Sequence, residues 1–196
     1  MSALTLSKDD LFTLEAYAEK RKDFRASVLD HKKNRKVMIG PNATLYFEDR
    51  LTMQYQIQEM LRIEKIFEAE GIQEELDAYN PLIPDGSNWK ATFMMEYGDV
   101  EERKAALAKL GGIEDKTWVQ VEDFDKVYAI ANEDLDRTDD EKTSAVHFMR
   151  FELTPEMCAA VKSGAAISAG IEHPNYTHTQ SPVDHNVRDS LAEDLA

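Results

Sequence analysis

The pattern of this chain predicts an α+β fold, with helices packed on a mixed or mostly antiparallel sheet and a helix near each terminus. Two observations carry that prediction. Segments with helical spacing of apolar residues are separated by short alternating runs, and strict strand–helix–strand alternation is absent, which disfavours a doubly wound parallel sheet. The apolar share of 42% and the charged share of 31% are those of an ordinary globular chain. A length of 196 residues suits one filled core, so a single domain over residues 1–196 is expected. Within it, residues 1–80 read as helix and hairpin, 90–175 as the β-richer part, and 182–195 as a terminal helix.

Ser7, with Asp10 three residues on, reads as the cap of a first helix. Leu11, Leu14, Tyr17, Phe24 and Val28 follow at near-helical spacing, and the polar run 31–36 ends it. Residues 37–39 and 43–49, separated by Gly40-Pro41-Asn42, read as a β-hairpin. A second helix is expected over 51–70, with Met53, Ile57, Met60 and Phe67 on one stripe and Gly71 as its stop. A short helix over 73–79 leads into a Pro- and Gly-containing loop at 80–88. Residues 91–97 read as a strand. Asp99 and Glu102 then cap a helix that runs to Leu110 and stops at Gly111-Gly112. Residues 117–121 and 126–131 read as short strands that pair, and 132–142 as an acidic exposed loop. Residues 145–153 form the clearest strand. Thr154-Pro155 opens a short helix, residues 165–173 are another strand, and Ser181-Pro182 starts the last helix, whose Val183, Val187, Leu191 and Leu195 make a narrow apolar stripe.

Charge is lopsided. The net formal charge is −15, yet residues 20–36 hold Lys20, Arg21, Lys22, Arg25, Lys32, Lys33, Arg35 and Lys36 against Asp23 and Asp30. A basic segment on an acidic body reads first as a solvated helix face or an internal docking surface. Nucleic acid is an unfavoured partner, because the overall field repels phosphate. The longest apolar run, near 165–171, is too short to span a bilayer, and the N-terminal residues lack a secretory pattern. The single cysteine, Cys158, excludes an internal disulfide, a CxxC zinc site and a four-cysteine iron–sulfur cluster within the chain. A cytoplasmic setting without membrane association is the expectation.

Nucleotide-binding glycine motifs, the GxSxG elbow and HExxH are all absent. Asp134-x-Asp136-x-Thr138 resembles part of a calcium loop but lacks its glycine and its terminal glutamate. The richest polar constellation runs from Glu48 to Arg62. Glu48 and Arg50 project where the second strand meets the second helix, and Tyr55, Glu59 and Arg62 share a face of that helix. Such a face can bind a small polar ligand, or it can be a hydrogen-bonded network internal to the fold. His147 falls on the apolar face of its strand with Ala145, Met149 and Phe151, and His173 falls on the face of Ile167, Ala169 and Ile171. With His178, they could supply imidazole ligands to a single metal ion, or each could be a hydrogen-bonded core histidine. Arg150 points to the opposite face from His147, beside Glu152. Tyr176 lies between His173 and His178. Cys158 reads as a buried, inert thiol, and Trp89 and Trp118 as core or groove aromatics.

Several of these blocks together resemble a known family. Tyr46-Phe47-Glu48-Asp49-Arg50, the run from Tyr55 to Arg62, Glu75 to Asn80, Thr143 to Phe151 and Gly170 to Tyr176 are similar to the bacterial family called domain of unknown function 3501. The resemblance spans almost the whole chain and brings no assigned activity. It implies a gene neighbourhood of rubrerythrin-like proteins and iron–sulfur oxidoreductases, and hence an accessory or binding protein that works with a redox partner, around electron transfer or oxidative stress. The alternative is a metal- or small-polar-ligand-binding enzyme with a pocket of Glu, Arg and His side chains. A third expectation is an oligomer formed through the C-terminal helix.

Overall fold

The computed structural model describes residues 5–133 and 143–196. The calcium-like stretch at 134–138 and most of the loop expected at 132–142 lie outside those residues. The described residues form six α-helices and two antiparallel sheets. The α+β expectation holds, with every strand pair antiparallel. No helix among the described residues is long and apolar enough to cross a membrane.

The first helix, α1 (Leu14–Lys32), starts later than the sequence predicts. Thr13 caps it by accepting from the Ala16 amide. Ser7 instead gives its amide and hydroxyl to the Asp10 carboxylate, closing a separate short turn. Strands β1 (Lys36–Ile39) and β2 (Ala43–Glu48) form the expected hairpin. Helix α2 (Arg50–Glu64) is capped by Asp49, which accepts from the Thr52 amide. It ends six residues before the expected last residue, 70, because Lys65 turns left-handed at φ 56°. Phe67, assigned to the buried stripe, is therefore outside the helix and 72% exposed. Gly71 does not end a helix but lies inside α3 (Ala69–Tyr79), where a Cβ would come within 2.8 Å of Ile66 Cγ2.

Strands β3 (Asn88–Met95) and β7 (Val146–Glu152) complete the centre of the larger sheet. Between them lie α4 (Val100–Leu107), capped by Asp99 as predicted, β4 (Thr117–Val121), β5 (Val127–Tyr128) and β6 (Ile130–Ala131). The strand predicted at 126–131 divides: β5 pairs with β4, while β6 crosses to pair with β7. Helix α5 (Pro155–Lys162), β8 (Ile167–His173), β9 (Tyr176–Gln180) and α6 (His185–Ala192) follow. The sheet orders are β1-β2-β3-β7-β6 and β5-β4-β8-β9.

Pleat alternation sorts the large sheet into two faces. Val37, Leu45, Phe93 and His147 make one row of the inner face, and Phe47, Ala91 and Met149 the next; all are buried. This face packs on Val119, Val121, Ile167, Ala169 and Ile171 of the second sheet, within a core closed by α5 and α6. Val183, Val187, Leu191 and Leu195 are buried in that same core, so the apolar stripe of the last helix is used inside the chain. A separate apolar cluster of Leu6, Met53, Ile57, Leu61, Leu76 and Ile83 joins α2, α3 and the N-terminal segment. The outer face of the large sheet carries Met38–Thr44–Met94–Val146, then Lys36–Tyr46–Thr92–Phe148, then Glu48–Lys90–Arg150.

Candidate functional site

The sequence-selected residues disperse over several neighbourhoods. Glu59 links two helices: its carboxylate accepts from Tyr17 Oη at 2.7 Å and from Arg21 Nε and Nη2 at 2.8 and 2.9 Å. The Arg21 hydrogen bonds hold its pKa down to about 2 against the opposing effect of burial. Tyr55 packs its ring near Phe24, and Lys32 Nζ stands 5.5 Å from the Tyr55 ring centroid. Arg62 is exposed. Arg50 turns to Asp10, 2.6 Å away. Arg150 is held by Glu133 at 2.8 Å and Glu152 at 2.5 Å. Tyr176 is a tie between the two sheets, donating to the Ile39 carbonyl at 2.6 Å and accepting from the Asn42 and Ala43 amides at 3.0 Å each.

The three histidines face different partners. His147 is fully buried, with Nε2 2.9 Å from Thr143 Oγ1 and 3.8 Å from Glu114 Oε2. His173 Nε2 lies 3.1 Å from the Gly111 carbonyl, and its Nδ1 accepts from the Asn175 amide. His178 is exposed and stacks edge-on against Tyr176. Among the described residues, no group of three or more His, Cys, Asp and Glu side chains is placed to hold a metal ion. Cys158 is buried, and burial raises its thiol pKa.

One sequence-selected residue, Glu48, does line a cavity. Helices α1–α3 stand over part of the outer face of the large sheet and leave a groove of about 660 Å³ beside it. Its apolar walls include Met53, Leu82, Met94, Val146 and Phe148. Glu48 is 9% exposed, and its two oxygens accept from Thr52 Oγ1 at 2.6 Å and Thr92 Oγ1 at 2.7 Å. Lys32, Lys33 and Lys36 also line the groove. Lys33 pairs with Asp30 at 2.9 Å. Among the described residues, Lys32 and Lys36 have no carboxylate partner and lie instead over the rings of Tyr55 and Tyr46. The groove thus joins apolar wall, available ammonium groups and one buried carboxylate. A second hollow of about 660 Å³, lined by Leu11, Phe12, Leu14, Leu61, Ile66 and Phe67, is bordered by Lys8, Asp9 and Glu15. None of those three charged residues is buried.

Arg35, counted in the sequence among solvated cations, proves to be the groove's deepest charge. It is 2% exposed and donates to the Phe47 and Glu48 carbonyls and, through two nitrogens, to Asp194 at 2.7 and 3.1 Å. Asp49 stands 3.7 Å from the same guanidinium and 2.5 Å from His31. Burial raises the Asp194 pKa to about 6, with Arg35 pulling the other way. No signal in the sequence marks Arg35 or Asp194, since 159 residues separate them.

Two comparisons place the chain among known proteins. A family model described as "Protein of unknown function (DUF3501)" matches residues 5–195. A crystal structure of a novel protein of unknown function from Burkholderia pseudomallei is similar over 98% of this chain and 100% of that one, at 55% identity and a TM-score of 0.93. A search of curated proteins gives no match.

Proposed function

We propose that this chain, which belongs to the DUF3501 family of proteins of unknown function, is a non-covalent binding protein whose groove receives a small amphipathic organic anion. The observation that carries the proposal is the pairing of the half-buried outer-face residues Tyr46, Met94, Val146 and Phe148 with two ammonium groups, Lys32 and Lys36, that have no carboxylate partner among the described residues. The groove volume of about 660 Å³ lies within the range of small-molecule sites, which are mostly apolar with a few placed polar groups. An apolar body would cover the Met94–Val146–Phe148 surface, and its anionic end would meet the lysines. The accessory role beside a redox protein that the resemblance implies is compatible with such binding. That role is supported by the resemblance alone.

An anionic apolar dye, 8-anilinonaphthalene-1-sulfonate, tests the proposal directly. Its fluorescence should rise on the folded protein, and octanoate should displace it. Val146→Trp, which fills the groove, and the double change Lys32→Glu with Lys36→Glu should each weaken dye binding about ten-fold or more. Dye enhancement that is absent, or unchanged in both variants, overturns the reading.

A further inference from the structure

Glu48 differs from three other enclosed acids of this chain. Asp194 has Arg35, Glu59 has Arg21, and Asp49 has His31 and Arg35. Glu48 accepts only from two neutral hydroxyls, those of Thr52 and Thr92. Among the described residues, no cation pairs with it. A buried carboxylate is costly unless its charge is met, and hydroxyl donors do not supply the missing positive charge.

The residue best placed to supply it is turned elsewhere. Lys90 sits directly across from Glu48 in the β2–β3 register, on the same outer face. Its Nζ donates instead to the Pro81 carbonyl at 2.6 Å. The next cation in that row, Arg150, is held by Glu133 and Glu152. The fold therefore places two cations in the row of Glu48 and commits both to other partners. An ionised carboxylate has about four acceptor positions, and the two threonines use one on each oxygen. The remaining positions belong to a residue that lines the groove.

Resting on the binding role proposed above, we infer that the ligand carries a basic nitrogen as well as an anionic group. Its ammonium is recognised by Glu48, and its anion by Lys32 and Lys36. The ligand class is a zwitterionic amphiphile: an apolar chain or ring system with an amine at one end and a carboxylate or comparable anion at the other. The amine would donate to both Glu48 oxygens without displacing either threonine, and its charge would offset the desolvation of the carboxylate. Tyr46 and Phe148 occupy the adjacent row of the same face and add aromatic surface to the apolar wall.

Calorimetric titration of the full chain with three probes tests this. Octanoate carries the anion and the tail, 8-aminooctanoate adds the amine, and N-acetyl-8-aminooctanoate retains the added atoms without the charge. The expected result is that 8-aminooctanoate binds at least ten-fold more tightly than either of the others. Glu48→Gln should bring the three to within about two-fold. The acetylated probe decides the matter on the unaltered protein even if Glu48→Gln fails to fold. Equal affinities for all three probes overturn the assignment of Glu48 and leave the groove proposal standing. Absence of binding by every probe, together with no dye response, overturns both.

Discussion

Replacing Arg35 by Met removes a charge that ties β2 to the C-terminal helix and leaves Asp194 buried without its bidentate partner. The Asp194 side chain is 8% exposed and that of Arg35 2%, so solvent cannot take over the interaction. Breaking one side of a buried ion pair costs ~3–5 kcal/mol. For a chain of 196 residues, each kcal/mol lowers Tm by ~2–4 °C, so a fall of about 10 °C at pH 8 is expected. The pH dependence follows from Asp194. Its folded pKa lies near 6, above the ordinary 3.8, because burial disfavours the anion. An acid with a raised folded pKa stabilises the fold fully below its unfolded pKa and loses that contribution as pH rises through the folded value. Losing the Arg35 attraction pushes that pKa higher still. The Arg35→Met penalty should therefore be largest at pH 8 and clearly smaller at pH 5, where Asp194 can be neutral. Melting curves followed by circular dichroism at the two pH values measure this. Adding Asp194→Leu should recover most of the loss at pH 8. A fall below about 3 °C, or one of equal size at both pH values, refutes the electrostatic account.

Two other perturbations separate structural contacts from the groove. Glu59→Gln removes a charge-assisted bond to Arg21, worth ~1.5–3 kcal/mol. Because the Glu59 pKa is held at about 2 instead of 4.5, its contribution is present above pH 4.5 and is lost as pH falls toward 2. Urea unfolding should show the variant's deficit at pH 7 shrinking across that window, and a deficit independent of pH would contradict the pairing. Gly170→Ala would place a Cβ 2.3 Å from Trp118 Cζ2. The ring must move, at a cost of ~1–3 kcal/mol, so both a lower Tm and a shifted tryptophan emission spectrum are expected. An unchanged spectrum would show that the packing tolerates the methyl group.

Local chemistry made much of the fold readable. Asp99 caps α4, Thr154-Pro155 opens α5, and Gly40-Pro41-Asn42 turns the first hairpin, each through interactions within a few residues. The failures lie where distant partners decide. Nothing in 126–131 shows that Val127 will pair with β4 and Ile130 with β7. The α2–α3 break depends on a left-handed Lys65, a conformation that lysine rarely signals. Strand β9 is not legible in the sequence, because only Tyr176 of its five residues is buried and the segment has no alternation. The same limit applied to the site. Glu48 could be chosen as a polar group at a strand end, but Thr92 is 44 residues away and Lys90 faces it only through register. Helical spacing groups Glu59 with Tyr55 and Arg62, and Tyr17 and Arg21 on α1 claim it instead.

The position of the groove follows from the two apolar clusters. The inner face of the large sheet is filled by the second sheet, α5 and α6, whereas α2 and α3 bury their apolar residues among themselves and the N-terminal segment. The helical part therefore does not need the outer sheet face to complete its core. It meets that face through polar links, Thr52 to Glu48 and the Arg35 bonds to the Phe47 and Glu48 carbonyls. A seam joined by polar links leaves Met94, Val146 and Phe148 only half-buried. A ligand seated there would touch the sheet and the helices at once. It would stabilise the folded chain by RT ln(1 + [L]/Kd), which makes a rise in Tm with ligand concentration a consequence of the same architecture.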